Sequence, residues 1–319
     1  MQLKVSFPPH IRSEETIERI MYSVALALMP ATFFSVYLFG FDALLVTLVS
    51  VASCIGFEYL CNRIRKRDHL SCWDGSGFVT GLLLALNLPA GLPLGMVVLG
   101  SFVAIVFAKE VFGGLGFNIF NPALVARVFL LISFPAAMTS WPVHRGAGVD
   151  GLTSATPLGL IKTEGIEAVQ NLGIEDMMLG FSGGCLGETS GIFLILGAAF
   201  LMYRKLITYV IPLGYMGSTV LMCWIAQLVD PSLTFGPLQH LFSGGLILGA
   251  CFMATDMVTS PLTAKGQWVF AIGCGTLTAI IRLWGSFPEG VSFAILLMNA
   301  AVPLIERWEL RPKNFKKGS

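Results

Sequence analysis

Long apolar runs dominate this sequence and decide what the chain can fold into. Only 12% of the residues are charged, 55% are hydrophobic, and the mean hydropathy is +0.77. A soluble domain carries about 25% charged residues, because charge covers its water-facing surface. The composition therefore predicts an all-α integral membrane protein, since helices satisfy their own backbone hydrogen bonds inside a bilayer.

Ten apolar stretches approach the length of a membrane helix, which needs roughly 20 mainly apolar residues. We expect spans at 20–39, 42–61, 74–88, 93–112, 118–139, 182–202, 206–228, 238–255, 267–284 and 290–306. Five precede a polar loop and five follow it, which favours two inverted five-helix repeats. The predicted divisions are an N-terminal segment at 1–19, membrane halves at 20–139 and 182–306, a loop at 140–181 and a basic tail at 307–319.

Lysine and arginine predict the orientation, because basic residues in short loops favour the cytoplasm. With a cytoplasmic N-terminus, 16 of the 20 basic residues lie inside, among them the "RIRKR" run at 63–67. Arg145, Lys162 and Arg282 fall outside. We therefore expect a multi-pass protein of the inner (cytoplasmic) cell membrane, with both termini cytoplasmic and the loop at 140–181 on the outer face.

The arrangement of the charged residues and the cysteines disfavours nucleic-acid binding and metal binding. No basic stripe lies outside short loops, so we expect membrane lipid rather than nucleic acid as a partner. None of the seven cysteines forms a CxxC pair, and no cysteine–histidine set has zinc-ligand spacing, so no metal site is predicted. The opening "MQLKVSFPPHIRSEETIER" has no cleavage site before the first apolar run, so no cleavable signal peptide is expected.

A broken helix is predicted by "GGLGFNIFNPALVARVF" at 113–129. Glycine, asparagine and proline interrupt membrane helices where these line a cavity or pack within protein. Asn118 and Asn121 bring amide donors and acceptors to the start of the fifth span. They predict a polar ligand pocket, and the alternative is an interhelical contact at a kink.

A glycine-rich segment, "GFSGGCLGETSGIF" at 180–193, opens the sixth span. Free N–H groups at a helix N-terminus bind anions, so Glu188 and Thr189 mark a possible ligand site. The alternative interpretation is ordinary helix capping by these two side chains.

Charges inside spans are costly and usually face a cavity, a partner or the interface. Asp74 and Asp256 are the best candidates for an ion path, because "DGSGFVTG" and "TDMVTSP" surround them with glycine, proline and hydroxyl groups. The two segments suggest that Asp74 and Asp256 occupy matching positions in the two halves. The alternative is that each carboxylate lies at a helix end, at the membrane interface. Lys109 and Glu110 are expected at the inner surface.

The stretch "DGLTSATPLG", at 150–159, collects three hydroxyls on one loop. Thr156 precedes a proline, which pushes it toward extended backbone. An extended, exposed threonine is a suitable substrate for a modifying enzyme. No histidine or lysine lies close enough in sequence to act as an obvious base, so nucleophilic catalysis by the loop itself is not expected. The alternative is a capping turn for a short helix beginning near Pro157.

Five ordered motifs resemble the family of membrane subunits that includes RnfD and NqrB. They are "DGSGFVTGLLLALNLP", "GGLGFNIFNPALVARVF", "DGLTSATPL", "GETSG" and "FMATDMVTSP". The short segment before "SFPPHIRS" favours the RnfD branch. The resemblance implies a subunit of an Rnf-type ferredoxin:NAD⁺ oxidoreductase, inactive without its partner subunits, that moves electrons across the membrane coupled to Na⁺ or H⁺ transport.

The same resemblance implies specific cofactors. FMN would be bound to Thr156 through a phosphoester, installed from FAD by a separate Mg²⁺-dependent flavin transferase. Asp150, Thr153, Ser154 and Ala155 would form the recognition sequence, and Glu188 and Thr189 of "GETSG" would face the flavin. A second, non-covalent flavin, riboflavin, would bind at Asn118 and Asn121.

Two other functions remain compatible with this architecture, because a fold does not determine a function. One is an NqrB-like subunit of a Na⁺-translocating NADH:quinone reductase. The other is a solute transporter or channel without flavin, for which the hydroxyl patch at 150–158 has no use.

Overall fold

The computed structural model describes residues 16–66, 74–142, 153–154, 156–165, 177–178, 180, 183–188, 191–230, 236–287 and 289–309. Within these ranges the protein is all-α apart from one two-residue β pair. The helices are α1 Ile17–Phe39, α2 Phe41–Ile64, α3 Ser76–Leu86, α4 Leu94–Phe102, α5 Pro122–Ser133, α6 Pro135–Met138, α7 Pro157–Glu164, α8 Gly191–Tyr203, α9 Val210–Val229, α10 Pro237–Phe242, α11 Leu246–Leu248, α12 Ala264–Trp284 and α13 Val291–Glu309. The strands are β1 Trp141–Pro142 and β2 Thr153–Ser154.

Two of these helices continue as π-helical segments. Val103–Glu110 extends α4, and Gly249–Met253 extends α11. Segments of this kind occur often at functional sites, because the wider turn displaces side chains from regular helical positions. Both lead directly into polar loops that line a cavity.

The predicted fold class is confirmed, and each of the ten expected spans contains a helix. Among the described residues, α1, α2, α9, α12 and α13 are individually long and apolar enough to cross a bilayer. The other spans are shorter than expected or interrupted. In the eighth, α10 and α11 are separated by Gly244, whose φ of 68° is unfavourable for side chains other than glycine.

Helix packing repeats between the two halves. In the first half α2 packs against α3 and α4, and in the second α9 packs against α12 and residues 246–253. Helix α1 contacts α8, and α5 contacts α13. Corresponding helices of the two halves therefore have corresponding partners, and the predicted inverted repeat stays a prediction.

The suggested match between Asp74 and Asp256 does not fit this repeat. Asp74 lies immediately before α3, whereas Asp256 follows the π-helical end of the eighth span. Equivalent positions in two repeats would occupy the same end of their helices. The fold instead brings the two carboxylates to the same part of the structure.

A backbone contact joins the halves where α3 ends. Leu186 N–H donates to Leu88 O at 3.2 Å, and Gly187 N–H donates to Leu86 O at 2.7 Å. The Ser35 hydroxyl of α1 donates to Leu186 O at 2.6 Å. Carbonyl groups left free by the end of α3 are thereby satisfied inside the protein, which a membrane interior requires.

Candidate functional site

The first candidate site is a cavity of about 250 Å³, here called the Thr156 cavity. Its walls come from the end of α5, the following α6 and β1, the start of α7, and the segment before α13. Its polar lining includes Arg127, Thr139, Thr156, Thr163 and Glu289, and its aromatic lining is Trp141 and Phe287. Largely apolar cavities with a few convergent polar groups are typical binding sites.

Thr156 lies on this wall as the N-cap of α7. Its backbone is extended, with φ −65° and ψ 152°, as the following proline predicts. Its Oγ accepts a hydrogen bond from Gly159 N–H at 3.0 Å. The short helix that was predicted as the alternative to a modification site is therefore present, and it begins at Pro157.

The expected exposure of Thr156 is wrong, because only 4% of the residue is accessible. The start of α7 is held against the protein by Leu158, which packs with Met177 and Phe242. Lys162 of α7 donates from Nζ to Gly285 O and to Phe287 O, the latter at 2.6 Å. Partial burial there lowers the pKa of Lys162 from its ordinary value.

The rest of the hydroxyl motif is only partly described. The backbone of Thr153 and Ser154 forms β2, antiparallel to Trp141 and Pro142. This pairing places the motif beside the segment that closes the Thr156 cavity. Asp150, Ala155 and Thr189 lie outside the described residues, so their predicted roles stay predictions.

A buried polar network forms the floor of the Thr156 cavity. The Arg127 guanidinium donates to Asn87 Oδ1 at 2.6 Å and forms an ion pair with Glu289. The side chains of Arg127 and Glu289 are 5% and 11% exposed. Glu188 also lies in this network and interacts with both Arg127 and Glu289. Glu188 therefore faces other side chains of the protein and precedes the first turn of α8 by several residues.

A second cavity of about 120 Å³ lies at the other end of α5 and is called the Asn118 cavity. Its polar lining comprises Ser76, Thr80, Lys109, Asn118, Asn121, Thr255 and Asp256. Pro122 of α5 contributes to this cavity, and Leu131 of the same helix contributes to the Thr156 cavity. Nine residues of helix separate them, a rise of about 13 Å.

Asn121 has a clear structural role in this cavity. Its Oδ1 accepts from Ala123 N–H at 3.1 Å and Leu124 N–H at 3.4 Å, which caps α5. Its Nδ2 donates to Met253 O at 3.3 Å. These bonds provide the interhelical contact that was predicted as the alternative to a ligand pocket. The ligand role of Asn121 stays a prediction.

Asn118 and Asp256 lie close together in the same cavity. Asn118 donates to Phe120 O at 3.1 Å and also interacts with the Asp256 carboxylate. Asp256 accepts from Thr259 Oγ1 at 3.1 Å and from Val258 N–H at 3.3 Å. The cavity thus unites a predicted flavin ligand with a predicted ion-path residue.

Asp74 approaches the Asn118 cavity through Ser76. The carboxylate accepts from Ser76 N–H at 2.8 Å and from Ser76 Oγ at 2.5 Å. Ser76 Oγ in turn is 2.7 Å from Lys109 Nζ. Asp74 is therefore connected to the cavity wall by one hydroxyl group, and its role in an ion path stays a prediction.

Lys109 and Glu110 are buried within the protein, and their expected position at the inner surface of the membrane stays a prediction. Lys109 Nζ forms an ion pair with Glu58 Oε1 at 2.5 Å, and Glu110 pairs with Arg65 at 3.1 Å. The π-helical end of α4 turns both side chains toward α2 and the residue that caps it, which supply these partners. Within the described ranges, no cluster of three histidine, cysteine, aspartate or glutamate side chains suits a metal ion.

Glu289 is a site residue that the sequence did not predict. It lies in a short loop between two spans, where an acid is usually solvent-exposed. The signal that could have found it is Arg127, because a charge within a span needs a buried partner. The pairing joins residues 162 positions apart in the chain.

Comparisons with known proteins agree over almost the whole chain. Residues 4–316 match the family described as NQR2, RnfD, RnfE. The D component of the proton-translocating ferredoxin:NAD(+) oxidoreductase complex of Clostridium ljungdahlii is 45% identical, covering 95% of this chain and 93% of that protein. The D component of the ion-translocating oxidoreductase complex of Stutzerimonas stutzeri is 43% identical, with the same coverage. The D component of the Na(+)-translocating ferredoxin:NAD(+) oxidoreductase complex of Acetobacterium woodii is 43% identical, covering 97% and 94%.

Proposed function

Because the chain belongs to the NQR2, RnfD, RnfE family, we propose that it is the RnfD component of an Rnf-type, ion-translocating ferredoxin:NAD⁺ oxidoreductase. In this role it carries electrons across the membrane and works only with the other membrane and peripheral subunits of the complex. The observation that carries the cofactor proposal is the position of Thr156. The predicted attachment residue lies on the wall of a cavity with a buried arginine and two aromatic side chains.

The surroundings of Thr156 suit a phosphate ester of FMN. A group attached to its Oγ sits at the start of α7, where the first N–H groups lack partners within the helix and attract negative charge. Arg127 adds a buried cation to the same cavity. Both features favour the phosphate charge of a threonine-linked FMN.

The cavity walls suit the rest of the flavin. Trp141, Phe287, Leu131 and Met138 provide an apolar and aromatic lining for a planar ring system. Bound there, the flavin supplies the redox chemistry, and the protein determines its position and electrostatic surroundings. The chain's own contribution is to hold the ring between apolar side chains and to exclude water from it.

The burial of Thr156 bears on how the flavin is attached. A flavin transferase has to reach the Thr156 hydroxyl, of which little is accessible once α7 has packed. We expect the enzyme to act on the extended sequence containing Asp150, Thr153, Ser154 and Ala155 before α7 packs. The ring would then become part of the packed region.

The Asn118 cavity is the proposed site of the second flavin, riboflavin. It combines apolar walls with the amide of Asn118 and the carboxylate of Asp256. Asn121 would act mainly by fixing the end of α5. Two flavins at these positions would lie at opposite ends of one short helix, which suits transmembrane electron transfer.

Ion coupling is proposed to involve Asp74 and Asp256, beside the Asn118 cavity. The names of the relatives include both a proton-translocating and a Na⁺-translocating complex. The proposal therefore extends to a cation coupled to electron flow and does not choose between the two ions.

The test is direct detection of covalent flavin. The complex is produced in cells containing the transferase, and the chain is examined on a denaturing gel under ultraviolet light and by peptide mass spectrometry. We expect a fluorescent band and a peptide containing Thr156 that is heavier by FMN less water. Thr156→Ala should abolish both signals.

Thr163→Ala is the matched control, because Thr163 lies on the same helix and lines the same cavity but is outside the motif. It should leave the fluorescent band intact. A dark wild-type band, or a band that survives in the Thr156→Ala variant, would refute attachment at Thr156.

A further inference from the structure

The carboxyl groups of Glu188 and Glu289, here called the carboxyl pair, form an unusual arrangement beside the Thr156 cavity. They lie within hydrogen-bonding reach of each other. Each also has one buried oxygen, Oε1, without a hydrogen-bond donor among the described residues. Two ionised carboxylates in this position would repel each other in a low-dielectric interior.

The nearby cations do not remove this repulsion. Arg127 is committed to Glu289 and to Asn87. The two terminal nitrogens of Arg282 donate to the backbone oxygens of His240 and Ser243, at 2.7 and 2.8 Å. None of these hydrogen bonds reaches Glu188, and Arg282 Nε, which is buried, has no acceptor among the described residues. The remaining titratable neighbour of Glu188 is the thiol of Cys185.

We propose that Glu188 and Glu289 share one proton, and that this proton leaves the carboxyl pair when the group bound in the Thr156 cavity is reduced. The inference rests on the proposed function, which places a covalent flavin in that cavity. A proton between the two carboxyl groups replaces the repulsion of two adjacent carboxylates by a hydrogen bond.

The proton and electron balance is simple. An electron arrives from a one-electron carrier of the complex, an iron–sulfur or flavin group. The carboxyl O–H bond would break and an N–H bond would form on a ring nitrogen of the flavin, so that the flavin stays neutral and the charge of the electron remains on the carboxyl pair. The carboxyl pair would recover its proton when the flavin is reoxidised, so the pair stays deprotonated for as long as the flavin is reduced. Glu289 lines the cavity itself, which makes it the exit for the proton.

The first measurement detects the shared proton without using the flavin. Infrared spectra of unflavinylated protein, recorded in H₂O and D₂O, should show the C=O stretch of one buried protonated carboxyl. Glu188→Gln should abolish this band while preserving the Arg127–Glu289 ion pair. Glu188→Asp, which keeps a carboxyl group, should restore it. Persistence of the band in Glu188→Gln would overturn the shared proton.

The second measurement tests release of the proton. In reduced-minus-oxidised spectra of the flavinylated complex, the carboxyl band should be lost on reduction, and Glu188→Gln should lack this change. Asp42→Asn is the control, because Asp42 is an exposed acid in the first turn of α2. It should behave as the wild type.

The two proposals fail in different ways. A dark ultraviolet gel band in the wild type refutes the covalent flavin, whereas the static carboxyl band still tests the shared proton. A fluorescent wild-type protein whose carboxyl band does not change on reduction refutes the inference alone.

Discussion

The ion pair between Lys109 and Glu58 offers a quantitative test of how the membrane interior is organised. Their side chains are 2% and 3% exposed, and Lys109 Nζ lies 2.5 Å from Glu58 Oε1. Ser76 Oγ bridges them, at 2.7 Å from Lys109 Nζ and 3.0 Å from Glu58 Oε1. We expect either single substitution, Glu58→Gln or Lys109→Met, to be strongly destabilising, because each leaves one buried charge alone.

Proton transfer to or from water limits the size of that loss. Removing a partner from a buried ion pair costs about 3–5 kcal/mol. An unpaired ammonium can instead lose its proton, which costs about 4.6 kcal/mol at pH 7, and an unpaired carboxylate can gain one for about 3.7 kcal/mol. Each single variant should therefore lose about 3–4 kcal/mol of unfolding free energy, close to these limits. The double variant should lose less than either single variant, since it contains no unpaired charge.

The pH dependence distinguishes the two singles. The destabilisation of Glu58→Gln should shrink as pH rises, because neutralising the lone lysine becomes easier. That of Lys109→Met should shrink as pH falls, because protonating the lone glutamate becomes easier. The assay is unfolding in detergent by heat or by titration with sodium dodecyl sulfate, followed by circular dichroism.

Lys265→Met serves as the control, because Lys265 is exposed at the start of α12. It should change the unfolding free energy by less than about 0.5 kcal/mol. Losses below about 1 kcal/mol in both singles, with no opposite pH trends, would refute the buried ion pair.

Two further substitutions test the packing of the half-length helices. Gly81→Ala should cost about 1–3 kcal/mol of stability, because the new Cβ would lie 2.7 Å from Val51 Cα of α2. The control is Gly56→Ala in α2, whose new Cβ meets nothing within 4 Å and which should be tolerated. Asn121→Ala should cost about 1–2 kcal/mol by removing the cap of α5 and the bond to Met253 O, and Asn121→Ser should recover the capping part. Thermal unfolding in detergent measures both, and equal stabilities within either matched pair would contradict the corresponding contact.

The sequence was sufficient to predict the fold class and the approximate positions of the membrane helices. Hydrophobic length carries this information, because a bilayer imposes it on each span separately. The predicted N-cap position before Pro157 also agrees with the structure, since proline acts on its immediate neighbours. These are properties that a short stretch of chain determines for itself.

Burial and partner choice could not be predicted in the same way. Thr156 belongs to a polar stretch and was expected to be exposed, but it is buried, and the neighbouring Leu158 packs with Met177 and Phe242. The sequence did not indicate the buried partner of Lys109, which is Glu58, 51 residues earlier. Pairing across such distances depends on the complete arrangement of helices, which local sequence does not specify.

The short helices explain why polar groups concentrate around the two cavities. A helix that ends inside a membrane protein leaves backbone groups that need partners. At the end of α3, Leu86 O and Leu88 O accept from Gly187 and Leu186. At the start of α5, Asn121 supplies the cap and reaches Met253 O.

Each of these connections holds an otherwise unfavourable helix end next to a cavity. The first brings Glu188 into the network of Arg127 and Glu289 beneath the Thr156 cavity. The second sets the end of α5 beside Asn118 and Asp256. Helix α5 spans the distance between the cavities. A substitution at either connection should therefore displace the polar groups of one cavity and leave the five long membrane helices in place.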